Sequence, residues 1–390
     1  MAKPNLHFAS LSTTAKSTLK QLKLSEAATF LRGLSLSKDD VREVADVSNG
    51  VPCVLYGHLY TTYGEITYSS KYETDAEIDE KVTSKAGDVL MPTSDVTPRG
   101  LATATCVMFD NAIVGGDINI LRPQPGIDGR YLSLAINSQK QKLYPLIVGS
   151  TVRHLHASDL KGLSYFFPSI EEQQKIAEFF TALDEKIRCL DDLAKGFSQS
   201  MQGVLNKVFT QQISFKDENG NNYSEWTIKK IKDVAPLQRG SDLPTSQLQD
   251  GECTVIYSNG QTAKHSAFKC DGCAVVTGRS GTIGKVFYLD NCKYWPHNTT
   301  LWVTDFCGNN PKFIYYLFKF VGLERFSTGT GVPTLNRNDV HDYVVKIPSI
   351  DEQTKIVEFL DCYNKKLNLL ISKKHAFHEL KKAFMQRMFV

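Results

Sequence analysis

Apolar residues recur in a coiled-coil register along two long stretches of this chain, and both stretches open with nearly the same motif. The segment PSIEEQQKI at 168–176 returns 180 positions later, at 348–356, as PSIDEQTKI. After each motif the apolar positions are spaced three and four residues apart, which is typical of a coiled-coil seam rather than of the broader stripe of a surface helix. The predicted seam comprises Ile176, Phe180, Leu183, Ile187 and Leu190 in the first stretch, and Ile356, Leu360, Tyr363, Leu367 and Leu370 in the second.

An exposed apolar stripe is unfavourable in water, so we expect the two helices to pack on each other and bury both seams. Their charges favour this pairing, because the first stretch is net negative and the second net positive. Only Lys374 and Lys381 interrupt the second seam. Each helix of roughly 40 residues would be about 60 Å long, which suits a spacer. The alternative, two ordinary core helices, is disfavoured by a register that persists over about five heptads.

The internal repeat extends beyond the helices. At the same offset, residues 149–155 align with 329–335, and further upstream residues 24–33 align with 231–240. Short apolar runs bounded by turn residues predict strands in both copies, and Asn310 followed by Pro311 predicts the start of a helix that extends to Phe326. The sequence therefore predicts an α+β fold of two tandem globular units, separated by a long antiparallel two-helix coiled coil and related by a pseudo-two-fold duplication.

Composition narrows the class of protein. The 390 residues are enough for two or three domains, and 42% hydrophobic with 22% charged residues is typical of a soluble globular protein. We expect no membrane segment, because no run of eighteen apolar residues occurs and the N-terminus lacks the apolar core of a signal peptide. Nine cysteines without a signal sequence predict free thiols in the cytoplasm. A net charge of +3 means that any phosphate-binding surface must be local.

Two motifs invite a metal or nucleotide site. Cys270 and Cys273 form a Cys-x-x-Cys pair in a unit that also holds three other cysteines and His297, but a single pair inside a predicted strand favours small buried side chains over zinc. The segment GRSGTIG at 278–284 lacks the Gly-Lys-Ser/Thr ending of a phosphate loop and precedes a predicted strand. We therefore expect no metal site at the cysteines. We expect the 278–284 segment to be a tight turn that presents Arg279. Neither an amino-methyltransferase motif nor a dinucleotide fingerprint occurs.

The order of a strand-rich unit, a Pro-x-x-x-Glu-Gln-x-x-Ile helix, a second unit and a second such helix resembles the specificity (S) subunit of type I restriction-modification systems over nearly the whole chain. Trp226 with the 231–240 segment, 278–284 and 329–335 look like landmarks of that family. The resemblance implies the following division: target-recognition domains at 1–167 and 212–347, a central long helix at 168–211 and a distal one at 348–390.

The same resemblance implies a non-catalytic subunit that binds double-stranded DNA and docks two methyltransferase subunits, and through them the motor-nuclease subunits. S-adenosylmethionine, ATP and Mg are then expected on those partners and no cofactor on this chain. The helix pair would set the spacing between two half-sites. A cytoplasmic location follows from the same role.

The residues support a DNA ligand independently, because two related but diverged units on a stiff spacer suit a duplex with two unlike half-sites. Base edges are read by forked donors and amides on groove-entering loops, and phosphates by lysines. A solvated loop residue or a helix cap is the alternative at each position. The candidate DNA-binding residues are Arg279, Ser280, Thr282, Lys285, Asn298, Thr299, Asn336 and Arg337 in the second unit, and Thr97, Arg99, Arg153 and His154 in the first. Further candidates are Ser94, Asp117, Asn119 and His156 for bases, and Lys229, Lys230, Lys232 and Lys264 for phosphates.

Two rival functions stay open at this point. One is a self-contained DNA methyltransferase or nuclease, which methyl transfer from labelled S-adenosylmethionine by the purified chain alone would favour. A structural adaptor that holds two proteins apart would show no salt-sensitive shift with duplex DNA.

Overall fold

A computed structural model describes residues 19–44, 49–76, 83–260, 262–329 and 331–389. The chain forms two compact units: the first combines the described residues up to Leu190 with those from Lys373 onward, and the second is Asp191–Ser372. Each unit therefore contains one set of strands, part of one long helix and part of the other. The predicted α+β class with two long helices is confirmed.

The helices of the described chain are short except for two, which have 40 and 39 residues. Within the described residues, no helix combines the length and the apolar character that crossing a membrane would require. The helices are α1 (Leu24–Ala27), α2 (His58–Thr61), α3 (Pro98–Leu101), α4 (Gly129–Ser138), α5 (Ala157–Lys161), α6 (Ile170–Phe209), α7 (Pro311–Val321), α8 (Arg337–His341) and α9 (Ile350–Met388).

The first unit has two main sheets and two strand pairs. Its strands are β1 (Lys20–Lys23), β2 (Ala28–Arg32), β3 (Val41–Glu43), β4 (Val51–Val54), β5 (Ile66–Thr67), β6 (Tyr72–Thr74), β7 (Asp88–Pro92), β8 (Ser94–Asp95), β9 (Thr105–Val107), β10 (Ile113–Val114), β11 (Ile118–Pro123), β12 (Arg153–His154) and β13 (Ser164–Phe167). The sheets have the orders β2-β11-β7-β9-β5 and β10-β4-β6-β3, and the pairs are β1-β13 and β12-β8.

The second unit is built around one six-stranded sheet of order β15-β20-β18-β19-β16-β17, in which only β16 and β19 are parallel neighbours. Two further pairs, β14-β23 and β21-β22, lie outside it. The strands are β14 (Thr227–Lys230), β15 (Leu237–Arg239), β16 (Cys253–Ile256), β17 (Thr262–His265), β18 (Cys270–Gly278), β19 (Val286–Pro296), β20 (Thr300–Val303), β21 (Ser327–Thr328), β22 (Thr334–Leu335) and β23 (Val344–Ile347).

The duplication read from the sequence is visible in these bounds. Strand β14 repeats β1 at an offset of 207, whereas β23, α8 and α9 begin 180 residues after β13, α5 and α6. The strand pairs β1-β13 and β14-β23 are both antiparallel and lead directly into the long helices. Helix α7 starts as predicted, with the side chain of Asn310 accepting from Lys312 N at 2.9 Å. It ends at Val321 rather than at Phe326, because Gly322 turns left-handed with φ +67°.

In the first unit, the end of α9 packs against the start of α6. The rings of Phe179 and Phe384 lie 5.1 Å apart, and Lys381 Nζ lies 2.6 Å from Asp184, so residue numbers rise along α6 as they fall along α9. The two segments are therefore antiparallel. Beyond them, Phe389 packs 5.2 Å from the ring of Tyr131 on α4 and joins the core that the strands of the first unit share.

In the second unit, the end of α6 meets the start of α9. Leu205 and Val208 share a core with Ile356 and Leu360, all of them fully buried, and Lys366 Nζ lies 4.8 Å from the ring centre of Phe197. This pairing is antiparallel as well. Of the ten predicted seam residues, Tyr363, Leu367 and Leu370 are half-buried and the other seven are buried.

Lys381, which interrupts the predicted seam, joins three elements of the first unit. Its ammonium lies 2.6 Å from Asp184 on α6 and 2.8 Å from Glu65, which precedes β5. Burial by itself would raise the pKa of Glu65, but the Lys381 ammonium outweighs burial and holds that pKa below its usual value. For Asp184 burial is the stronger influence, and its pKa lies above the usual value. We call these residues the Lys381 triad.

The glutamine of the repeated motif attaches the start of each long helix to neighbouring segments of its unit. Gln173 accepts from Asp128 N at 3.0 Å and donates to Gly126 O and Pro168 O. Gln353 repeats this arrangement: its Oε1 accepts from Asn310 N at 2.9 Å, and its Nε2 donates to Asn309 Oδ1 and Pro348 O. Both glutamines are at most 2% exposed, so their hydrogen bonds are shielded from water.

Replacing Gln353 by leucine is expected to lower the unfolding free energy of the second unit by roughly 2 kcal/mol, because it removes three hydrogen bonds that each contribute about 0.5–1 kcal/mol net. Denaturant titration of Gln353→Leu measures the loss. The matched control is Thr354→Leu at the exposed neighbouring position, which should change stability by no more than about 0.5 kcal/mol. Equal stability of the two variants would refute the anchoring role.

Candidate nucleic-acid interface

Three loop segments singled out in the second unit are joined by backbone hydrogen bonds. The loop after β18 and the turn before β20 meet where Arg279 N and Ser280 N donate to Thr299 O at 2.8 and 3.2 Å. The same loop meets the segment around β22, because Leu335 N donates to Arg279 O at 2.8 Å and Gly281 N donates to Pro333 O at 3.1 Å. We call residues 279–285, 297–299 and 332–337 the loop cluster of the second unit.

Glycine is required at the base of the first of these loops. A Cβ on Gly278 would lie 1.7 Å from Thr282 O, and Gly281 and Gly284 have φ values of +85° and +87°. Side chains other than glycine are strongly disfavoured in such positions. The GRSGTIG segment is thus a tight turn between β18 and β19, as predicted, and a strand follows it.

Five of the predicted side chains in this loop cluster form no side-chain hydrogen bond or ion pair with another described residue. Lys285 and Arg337 are exposed, and the other three are half-buried. Charged donors in exposed loops are free to meet phosphates or base edges without first breaking an internal bond. These five available side chains are Arg279, Ser280, Thr282, Lys285 and Arg337.

The other three predicted side chains already have partners within the protein. Thr299 Oγ1 lies 3.0 Å from His297 Nδ1, Asn298 Nδ2 donates to Asp242 Oδ1, and Asn336 Oδ1 caps α8 by accepting from Asn338 N at 3.1 Å. Burial lowers the pKa of His297, which favours a neutral ring beside the threonine. These three side chains therefore stabilise the loops through hydrogen bonds within the protein.

In the first unit, the corresponding segments meet as the strand pair β8-β12. Arg153 pairs with Asp95 and His154 with Ser94, and the exposed ring of His154 lies parallel to that of His156 with ring centres 6.0 Å apart. Arg153 is half-buried, and its Nε has no hydrogen-bond partner in the described chain.

Beside this pair, Thr97 accepts from Gly100 N at 3.2 Å and caps α3. Arg99 is exposed, and it lines with Thr97 a cavity of about 350 Å³. The four residues predicted for this unit thus lie on α3 and the adjoining strand pair. Asn119, by contrast, is buried on β11 and 4% exposed.

The remaining candidates lie on other elements. Lys230 forms an ion pair with Asp342 at 2.8 Å, and Lys264 Nζ donates to Glu252 O at 3.0 Å, so both ammonium groups have partners within the second unit. Cys270 and Cys273 are half-buried on β18. Across the described residues, no group of three or more histidine, cysteine or acidic side chains is placed to hold a metal ion.

Comparison with known proteins gives the family. The sequence profile of the type I restriction modification DNA specificity domain matches residues 16–193 and 223–376, which together are most of the chain. The chain belongs to this family. The duplicated match covers the two sets of strands and the first part of each long helix described above.

Individual relatives agree with the family match. A protein named as a type I specificity subunit of Mycoplasma pneumoniae is 22% identical over 357 residues, which is 88% of each chain. The specificity subunit of the MjaIX enzyme of Methanocaldococcus jannaschii is 25% identical over 205 residues, covering 50% of this chain and 45% of that protein. A crystal structure of the S subunit from M. genitalium has the same fold, with a TM-score of 0.64 at 15% identity over 100% of this chain and 99% of that one.

Membership of this family fixes the function class. The family's subunit is non-catalytic and supplies DNA specificity to type I restriction-modification, with catalysis on other subunits. The prediction of a recognition subunit rather than an enzyme is confirmed, and neither the self-contained methyltransferase or nuclease nor the structural adaptor is favoured.

Proposed function

We propose that each unit of this specificity subunit reads one half of an asymmetric, bipartite double-stranded DNA sequence. The loop cluster of the second unit and the β8-β12 pair with α3 of the first would be the reading surfaces. One observation carries the proposal. Three segments that are separated in the second unit's sequence, each with residue types able to read bases, are joined into one surface by backbone hydrogen bonds. The two surfaces differ in sequence, which favours unlike half-sites.

The free charged side chains divide into two roles. The backbone of Arg279 is hydrogen-bonded to Thr299 and to Leu335, and its half-buried side chain has no internal partner among the described residues. It therefore suits bidentate contact with a guanine edge, which contributes about 1–3 kcal/mol of discrimination. Lys285 and Arg337 are exposed residues of the cluster and suit contacts to phosphates, which orient the duplex without specifying its sequence. Arg99, Arg153 and His154 would share these roles in the first unit.

The long helices would set the distance between the half-sites and dock two methyltransferase subunits, through which motor-nuclease subunits join. Exposed apolar side chains on these helices support a docking role, because large apolar residues in water favour association. Leu193 is 47% exposed on α6, and Leu369 and Ile371 are 53% and 51% exposed on α9. S-adenosylmethionine, ATP and Mg would then be bound by those partners, and the complex would act in the cytoplasm.

The test uses the chain assembled with its partner subunits. Sequencing of methylated adenines in cellular DNA gives the target, and gel shifts across a salt series give affinity. Arg279→Ala should relax one base position in one half of the target, whereas Arg337→Ala should weaken binding to all sequences and reduce the salt dependence by about one phosphate contact. Lys346→Ala, which removes a charge from an exposed residue of β23, is the control. Unchanged target and affinity in both arginine variants would refute the assignment.

A further inference from the structure

A repeated seven-residue segment, at 149–155 and at 329–335, is a turn that leads into a short strand and includes it, β12 in the first unit and β22 in the second. The two copies have diverged at four positions and are identical at three: Gly149 with Gly329, Val152 with Val332, and Leu155 with Leu335. Identity within a diverged repeat marks positions where both units need the same property. The structure shows what that property is for two of the three pairs.

Folding accounts for the glycines and the leucines. Gly149 and Gly329 have φ values of +106° and +98°, a region that favours glycine. Leu155 and Leu335 are 0% and 2% exposed and anchor the end of each turn in its core. Neither requirement extends to the valines.

Val152 and Val332 are exposed, by 49% and 67%, and neither belongs to a core cluster of the described residues. An apolar, β-branched side chain in a glycine-containing surface turn gains nothing from the core. The neighbouring positions are polar or small, as expected for such a turn: Ser150 and Thr151 in one copy, Gly331 in the other. The shared valine therefore calls for an explanation outside the fold.

Each valine lies beside a proposed reading surface. It stands two residues before a residue that pairs with another segment of that surface: His154 pairs with Ser94 of β8 in the first unit, and Thr334 pairs with Ser280 in the second. The positions between valine and the anchoring leucine differ in the two units, whereas the valine does not. The residues next to the valine thus differ between the two units, whereas the valine itself is the same in both.

We propose that Val152 and Val332 each contact the methyl group of a thymine in the half-site read by their unit, and this inference rests on the proposed function. The thymine methyl is the distinctive apolar group of the major groove, and apolar side chains recognise it by direct contact. Valine loses little side-chain entropy when it is fixed, because only one torsion is restricted. Each unit would make the same apolar contact with an A·T pair and would read its other bases with different polar residues. This arrangement suits two unlike half-sites.

Deoxyuridine provides the test, because it lacks only the methyl group of thymine. With the assembled complex and its target duplex, each thymine is replaced singly by deoxyuridine, and the dissociation constant is measured for wild type, Val152→Ala and Val332→Ala. One replacement in each half should weaken wild-type binding about 4-fold, the effect of one buried methyl group. The same replacement should have no effect on the variant of the unit that reads that half, and its full effect on the other variant.

Val344→Ala is the matched control, since Val344 is 53% exposed on β23 of the second unit, outside the loop cluster. It should retain the full effect of deoxyuridine at every position. Additive losses in all combinations of valine variant and deoxyuridine would overturn the inference. So would a uniform loss of affinity in the valine variants, which would assign the valines to the sugar-phosphate backbone. Absence of specific binding by the wild-type complex would instead refute the proposed function itself.

Discussion

Lys381→Ala is expected to lower the unfolding free energy of the first unit by roughly 3 kcal/mol, at the lower end of the range for breaking a buried ion pair. The lysine side chain is 13% exposed, and its removal leaves the carboxylates of Glu65 and Asp184 facing each other without a cation. Their exposures of 28% and 37% let water offset part of the cost. Denaturant titration with a fluorescence or circular dichroism readout measures the loss.

Two further variants separate charge from packing in the Lys381 triad. Lys381→Arg keeps a cation at the same place and should recover part of the lost stability, although its planar head differs in shape. Lys382→Ala, at the exposed neighbouring position, should change stability by no more than about 0.5 kcal/mol. If Lys382→Ala lost as much stability as Lys381→Ala, the Lys381 triad would not explain the loss.

Met388→Asp, close to the C-terminal end of α9, is expected to lower the unfolding free energy of the first unit by about 3–5 kcal/mol, the cost of leaving a charge unpaired in a core. Met388 is 3% exposed and belongs to the core cluster that contains Val89, Leu121 and Leu132. Residues distant in sequence share that core, so the damage should appear in β7, β11 and α4. Hydrogen exchange followed by peptide mass spectrometry locates it.

Gln386→Asp is the control for this experiment, because Gln386 is exposed on the same turn of α9. It introduces the same charge without burying it and should leave exchange in the strands unchanged. If Met388→Asp accelerated hydrogen exchange only within α9 itself, the end of α9 would not be part of the core of the first unit.

The proposed reading surfaces were predictable in part. Residue type and turn signals pointed to Arg279, Lys285 and Arg337, which are free in the structure. The same reasoning chose Asn298 and Thr299, whose side chains instead bond to Asp242 and His297. A sequence shows that an amide or hydroxyl is present but not which group it bonds to. Asp242 lies 56 residues from Asn298 in sequence, and His297, only two residues from Thr299, meets that hydroxyl because of the local geometry of the turn.

The sequence by itself determined the two long helices, the duplication and the antiparallel pairing of the seams, because heptad spacing and repeated motifs are local patterns that need no knowledge of distant contacts. Only the tertiary structure decided why Lys381 interrupts a seam, why the repeated glutamine stands in the motif, and that the C-terminal residues complete the core of the N-terminal strands. These features depend on groups that are separated in sequence, by 43 residues for Gln353 and Asn310 and by 316 residues for Lys381 and Glu65. Hydrophobic spacing specifies which face of a helix is buried, whereas the partner on that face is selected by the packing of the whole unit.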